Sequence, residues 1–320
     1  MHSLPPGMWR TSRWLRLYDW DWKQHPFPGL TQAAIDYRAT TYPRRFFYHV
    51  LRVCSTGDDR ADGVEYSAGV HDLLAACFEP TSFDDLVAGE VGRRHGADAV
   101  SGAVADLIER GFVVPVDADE PVDTAAVAAA SELYAAIQVR QEFAAALDVV
   151  KEVEPRTVLE VGTAFGGTLF GWAQVAHPDA RLVSVDLPGG IGGGGYMPEH
   201  ESHFRNFCGA GQQLSCVLGA SQLPDTIERV RAALDGAAVD MMLIDGDHSY
   251  EGVSRDFANY RSLAREGGLI LFHDIQPPPP KTEQPMGVWR FWREIREDYR
   301  HLEIVHDPTQ FSAGIGVLYV

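Results

Sequence analysis

The residues whose types and spacing could do chemistry gather in two short stretches, "LIDGDHS" at 243–249 and "FHD" at 272–274. In the first, the apolar run Val239 to Ile244 ends in Asp245, with Asp247 and His248 close behind. In the second, another apolar run ends in His273 and Asp274. Charge at the carboxyl end of a buried strand is either loop solvation or the floor of an active site. If the two strands are neighbours in a parallel sheet, Asp245, His273 and Asp274 come within reach of one another. Two carboxylates and an imidazole can hold a divalent cation, and oxygen donors with open positions favour magnesium or manganese. A metal-free hydrogen-bonded cluster is the alternative these residues leave open. His248 has the proton affinity of a general base near neutrality, or it caps the next helix. Asp247 is read as structural.

A second set lies upstream. "VLEVGTAFGGTLFGW" at 158–172 joins an apolar strand to a helix through a glycine-rich turn. Gly162 and Gly166 permit a sharp turn and close approach by a ligand, and the helix behind them offers free amides. The dinucleotide fingerprint is not met, because Ala164 stands where its second glycine belongs. Glu160, at the strand end, suits a ligand carrying an ammonium group. Asp186, closing "RLVSVD", is placed like the acid that holds a ribose diol. Ser221, in "LGAS", is placed at the same edge for an adenine ring, or is an N-cap.

These residues need a sheet to position them. From Thr157 onward, strand patterns "TVLEVG", "RLVSVD", "QLSCVLG", "VDMMLIDG" and "GLILFHD" alternate with helical ones. Such alternation predicts a parallel sheet covered by helices on both faces. "HLEIVHD" and "GIGVLYV" follow without room for a crossover helix, which predicts a terminal antiparallel hairpin. An Ala-rich stretch, Thr124 to Glu152, reads as one long helix leading into this domain. The loops 186–204 and 275–295 are long enough to be lids. Tyr196 and His200 end the first, and Trp289, Phe291 and Trp292 end the second, where Trp289 and Trp292 are expected in the core.

The remaining chain falls into two regions. Residues 1–65 read as an irregular arm whose Trp9, Trp14, Trp20 and Trp22 pack on the body or on a second subunit rather than stay in water. Residues 66–123 read as a helical, winged-helix-like module for dimerisation or substrate docking. "YSAGVHDLLAACF" and "SFDDLVAGEVGRRHG" are helices, the latter opened by a Ser82/Asp85 capping box. A third helix carries Val100, Val104, Leu107 and Ile108, and "FVVPV" is a short strand. Asp98, Asp106 and Glu109 on that third helix, and a net charge of −18 over 320 residues, argue against nucleic acid and anionic membranes. No apolar run approaches the roughly 20 residues of a membrane helix. No secretory signal is expected. Four cysteines without a C-x-x-C pair suggest a reducing, cytoplasmic setting.

Together "VLEVGTAFGG", Asp186, "LIDGDHSYEGVSRDF" and "GGLILFHDI" resemble the class I S-adenosylmethionine-dependent methyltransferases. Among these they resemble the macrocin- and mycinamicin-type sugar O-methyltransferases of antibiotic pathways. The resemblance covers roughly 135–320. It implies a seven-stranded Rossmann-like α/β sheet, with Glu160, Gly162, Thr163 and Gly166 near the methionine moiety. It also places Asp186 on the ribose, Asp245 beside the cofactor and the metal, and His248 as the base. That family carries an acidic pair where this chain has His273-Asp274, so His273 is a departure. A small-molecule acceptor, a magnesium-type cation and a homodimer or higher homo-oligomer are the corresponding expectations. A peptide acceptor docked by the N-terminal module, and a nicotinamide-dependent oxidoreductase, are the competing ones.

Overall fold

The computed structural model describes residues 8–11, 15–20, 45–50, 62–65, 68–77, 80–109, 113–116, 122–132, 136–189, 195–198, 200–209, 211–280 and 286–320. The chain divides into two compact units, 1–122 and 123–320.

The first unit contains β1 (Met8–Thr11), β2 (Leu15–Trp20), β3 (Arg45–Val50), β4 (Asp62–Glu65) and α1 (Ala68–Ala76). It continues with β5 (Thr81–Ser82), α2 (Phe83–Ala88), α3 (Glu90–His95), α4 (Ala97–Glu109) and β6 (Val113–Pro115). Strands β2, β3 and β4 form one antiparallel sheet, and β5, β1 and β6 another. The described residues of the stretch expected to be irregular thus contribute four strands. Trp9 is buried with its ring 5.0 Å from that of Phe83, among Leu74, Val104 and Leu107. Trp14 and Trp22 lie outside the described residues. The expected capping box is present, with the Ser82 hydroxyl accepting from the Asp85 amide at 3.1 Å. The helix it opens is broken into α2 and α3 at Gly89, whose extended backbone lies against the Asp85 carbonyl. Among the described residues the module has four helices instead of three.

The second unit begins with α5 (Thr124–Ser131) and α6 (Arg140–Val153), then β7 (Thr157–Val161), α7 (Gly167–Val175), β8 (Arg181–Asp186), α8 (His200–Arg205) and β9 (Gln213–Leu218). It ends with α9 (Pro224–Leu234), β10 (Val239–Ile244), α10 (Tyr250–Tyr260), β11 (Ala264–His273), α11 (Val288–Ile295), β12 (Arg300–Ile304) and β13 (Ile315–Tyr319). The seven strands form one sheet in the order β12-β13-β11-β10-β7-β8-β9, and only β13 runs against its neighbours. The expected mixed α/β sheet and terminal hairpin are therefore both present. Strand order reverses at β7, so the crevice of the sheet opens at the carboxyl ends of β7 and β10, where ligands of such sheets bind.

Side chains alternate between the two faces. Leu159, Val161, Met242, Ile244 and Phe272 join Phe257 and Trp292 in one apolar layer. Val158 and Glu160 have the opposite parity, and Glu160 meets α7, where Trp172 packs edge-on against Phe143 at 5.0 Å. Trp292 is fully buried as expected, whereas Trp289 is half-buried under the guanidinia of Arg290 and Arg293.

The single helix expected over 124–152 is two helices. The stretch contains neither Gly nor Pro, so the interruption comes from tertiary packing. Gly167, at the start of α7, approaches the backbone so closely that a Cβ there would lie 2.3 Å from the Ala136 nitrogen. The chain leaves the helix at this crossing, and the segment 136–139 passes over the carboxyl edge of the sheet.

Candidate active site

Three strand ends are sewn together at the crevice. The Gly162 amide donates to the Val185 carbonyl at 2.9 Å, and the Asp245 amide donates to the Val161 carbonyl at 2.8 Å. Gly162 has φ +91°, and a Cβ there would lie 2.1 Å from the Asp245 carbonyl oxygen. Only glycine fits that crossing. The amides of Thr163 and Ala164 both donate to Asp186 Oδ2 at 2.7 Å, and the Leu187 amide donates to Oδ1 at the same distance. Asp186 therefore clamps the turn. At Gly166, φ is +88°, and the backbone is pressed against the Phe204 ring.

Glu160 differs most from its expected place. It is fully buried, and it accepts from Thr163 Oγ1 at 2.8 Å and from Trp172 Nε1 at 3.0 Å. Burial pushes its carboxyl up to about 8, which the hydrogen bonds from Thr168, Thr163 and Trp172 only partly offset. A carboxyl facing an open crevice would titrate near its ordinary value. Strand parity explains the difference, because Glu160 points under α7. Thr163 continues the chain of contacts to Ser184 Oγ at 2.7 Å, which donates to the buried Tyr196 hydroxyl at 3.1 Å. Tyr196 is thus an internal anchor of the loop after β8. Residues 190–194 of that loop, and 281–285 of the second expected lid, lie outside the described residues.

Ser221 donates to Asp256 Oδ1 at 2.6 Å. Its hydroxyl is committed to that carboxylate, and the adenine role expected for it has no support from this geometry. Asp256 was not singled out from the sequence. It is fully buried on α10, and burial pushes its carboxyl up to about 6.

The charged cluster lies at the ends of β10 and β11. His248 Nδ1 is 2.8 Å from Asp274 Oδ2, and His248 Nε2 is 3.5 Å from Asp245 Oδ1. The hydrogen bond to Asp274, with the charge of Asp245 added, raises the imidazole to about 9 against the effect of burial. Burial also opposes charge on Asp274, yet His248 and His273 hold it below the usual carboxylate range. Asp274 has φ +61°, a left-handed conformation for a non-glycine residue. The Ala313 amide, donating to Oδ1 at 2.8 Å, helps hold it there. Asp247 accepts from the Ser249 amide at 2.9 Å, a structural role as expected.

His273 is placed differently from the ligand it was expected to be. Its ring is buried, with Nδ1 at 3.5 Å from Asp245 Oδ1 and 3.7 Å from Asp274 Oδ1, while Nε2 has no partner. Burial lowers its proton affinity, and the neighbouring Asp245 carboxylate outweighs that and raises it. Among the described residues, the ligand atoms that converge within 4.8 Å of one another belong to Asp245, His248 and Asp274. Two carboxylates with left-over acceptor capacity fit a hard divalent cation. The cofactor implied by the resemblance also fits. Phe165, Leu187 and Leu223, on the loops after β7, β8 and β9, expose apolar surface at this same edge, beside the polar turn. An amphiphilic ligand would cover both kinds of surface.

Gln138 was also missed. It sits in the break between α5 and α6, where Nε2 donates to Asp245 Oδ2 at 3.2 Å and Oε1 is buried without a partner. Glu142, one turn further on, accepts from the His306 amide at 2.9 Å and the Gly314 amide at 2.8 Å. No pattern in the sequence distinguishes either from surface residues of a long helix. A cleft of about 390 Å³ in the first unit, lined by Asp72, Asp85, Leu86 and Arg94 among others, contains none of the expected site residues.

Residues 159–275 match the family model of a methyltransferase domain, which runs from within β7 to just past β11 and so includes Glu160, Gly162, Asp186, Asp245, His248, His273 and Asp274, but not Gln138, Glu142 or the terminal hairpin. An uncharacterized protein of Sinorhizobium fredii is 29% identical over 174 residues, 53% of this chain but only 18% of that protein's length. Among solved structures, the O-methyltransferase TomG of Streptomyces achromogenes, in complex with SAM, is similar at 18% identity. The match covers 64% of this chain and 92% of that one, with a TM-score of 0.44. The O-methyltransferase of Bacillus cereus, in complex with SAH, is similar at 15% identity over 68% and 97% of the two chains, with a TM-score of 0.42.

Proposed function

We propose that this methyltransferase domain moves a methyl group from S-adenosylmethionine to a hydroxyl of a small natural-product acceptor, with His248 as the base and a magnesium-type cation beside it. The observation that carries this is the pairing of His248 with Asp274. A 2.8 Å contact fixes Nδ1 as the protonated nitrogen and leaves Nε2 as the working one. With a side chain 42% accessible, His248 is the most open member of the cluster and can meet an incoming hydroxyl. When bound, the cofactor supplies the electrophilic methyl and the cation lowers the proton affinity of the hydroxyl.

The chain's own part is positioning and proton handling. In the bare cluster the two carboxylates keep His248 as an imidazolium near neutrality. With the charge of Asp245 and Asp274 offset, the imidazole returns toward its ordinary range. Nε2 can then take the hydroxyl proton as the oxygen attacks. Asp186 and Gly162 hold the cofactor turn against β8 and β10, so the methyl donor and the base share one edge. Glu160, sealed by Thr163 and Trp172, supports the turn from below. In the same proposal the first unit serves dimerisation or acceptor docking, and residues 124–320 are the catalytic domain of a homo-oligomer.

The test is transfer from labelled S-adenosylmethionine to a panel of hydroxylated sugars and polyketides, followed by mass spectrometry with and without Mg²⁺. His248→Ala is expected to lower turnover by roughly 10²–10⁴-fold, the usual contribution of a general base. Unchanged turnover in that variant would remove His248 from the chemistry.

A further inference from the structure

A cation beside a working base poses a problem of supply. His248 is one of the three converging groups, yet a nitrogen spent on a metal is not free to take a proton. His273 does not replace it, because its ring is closed in by the core and it falls outside the set of converging ligand atoms. Asp245 and Asp274 alone would leave the cation with two protein ligands.

We propose that Gln138 supplies the third ligand, through Oε1, giving an all-oxygen set of Asp245, Asp274 and Gln138. Three observations carry this. The amide lies at Asp245 Oδ2, with 3.2 Å between the nitrogen and the carboxylate oxygen. Adjacent oxygens around an octahedral Mg²⁺ are about 3 Å apart, given Mg–O bonds near 2.1 Å. A half-turn of the amide places oxygen where nitrogen now stands, and the two are interchangeable in shape. Second, Oε1 makes no hydrogen bond in its present buried position, so turning the amide gives up only the Nε2 bond to Asp245 Oδ2. Third, the segment bearing Gln138 is held on both sides. Gly167 crosses it at Ala136, and Glu142 ties the start of α6 to the hairpin loop that contacts Asp274. An all-oxygen set selects a hard cation and leaves Nε2 of His248 for the proton.

The role of Gln138 presupposes the cation proposed above, so the experiment reads metal binding directly. The full chain is titrated with Mn²⁺ by electron paramagnetic resonance, with melting curves to show that each variant folds. Asp245→Asn is expected to abolish binding. Gln138→Leu should weaken it about tenfold or more, the range for groups that shape a metal site. Gln138→Glu should bind Mn²⁺ at least as tightly as the native chain, because it offers a charged oxygen at the same place. Were Gln138 only a donor that steadies Asp245, Glu would weaken binding as Leu does, and that result overturns the proposal. Native binding with an unaffected Leu variant overturns it too, while sparing the cation. Absence of Mn²⁺ binding by the native chain overturns both. Should the Leu variant fail to fold, Gln138→Ala against Gln138→Glu gives the same comparison.

Discussion

At the scale of single residues, the site is a set of carboxyl groups in contrasting surroundings. Glu160 titrates near 8 because it is buried, while Asp274 is held low by two imidazoles. The folded-state value for Glu160 lies above that of an unfolded glutamate, about 4.3. The protonated form therefore contributes stability that is fully present below about pH 4.3 and lost as pH rises through about 8. Glu160→Gln removes that dependence. Relative to the native chain, its melting temperature should rise steadily between pH 5 and pH 8, which a series of thermal melts would check. An equal offset at every pH would show that Glu160 is ionised in the folded protein. The acids at 160 and 245 looked alike in sequence, both closing apolar strands. What separates them is parity and cover, since only Asp245 emerges beyond its strand.

At the scale of elements, the turns and the helix break govern the geometry. Gly162→Ala would drive a Cβ to 2.1 Å from the Asp245 carbonyl at a positive φ. A cost of about 2–4 kcal/mol is expected, typical of strain plus overpacking, measurable by urea denaturation. Glu142→Ala would strip acceptors from the His306 and Gly314 amides. Leaving a buried amide unmet costs about 1–3 kcal/mol, so a loss at the upper end is expected in the same assay. The five parallel strands and the hairpin were legible because each is a short apolar run closed by Gly, Asp or His. The break between α5 and α6 was not, because no local breaker marks it and its cause is Gly167, some thirty positions downstream. Gln138 was invisible for the same reason, since its partner Asp245 is 107 positions away. The strands of residues 8–65 escaped notice because they lack a clear alternation with turn signals.

At the scale of the molecule, the methyltransferase match and all the site residues fall within the second unit, 123–320. Residues 123–320 produced alone are expected to melt cooperatively and to bind S-adenosylmethionine with the affinity of the full chain by calorimetry. A tenfold loss would assign part of the cofactor site to the first unit. None of the described helices is long and apolar enough to cross a membrane. The tether through Glu142 has a wider consequence. From Asp245 the contacts run to Gln138, along the chain to Glu142, across to Gly314 and Ala313, then to Asp274, His248 and back to Asp245. A closed circuit of this kind distributes slack over all its members, so loosening the distant link at Glu142 should broaden the nuclear magnetic resonance signals of His248. Binding to a circuit already drawn tight costs little ordering, and the entropy change on ligand addition should be correspondingly small.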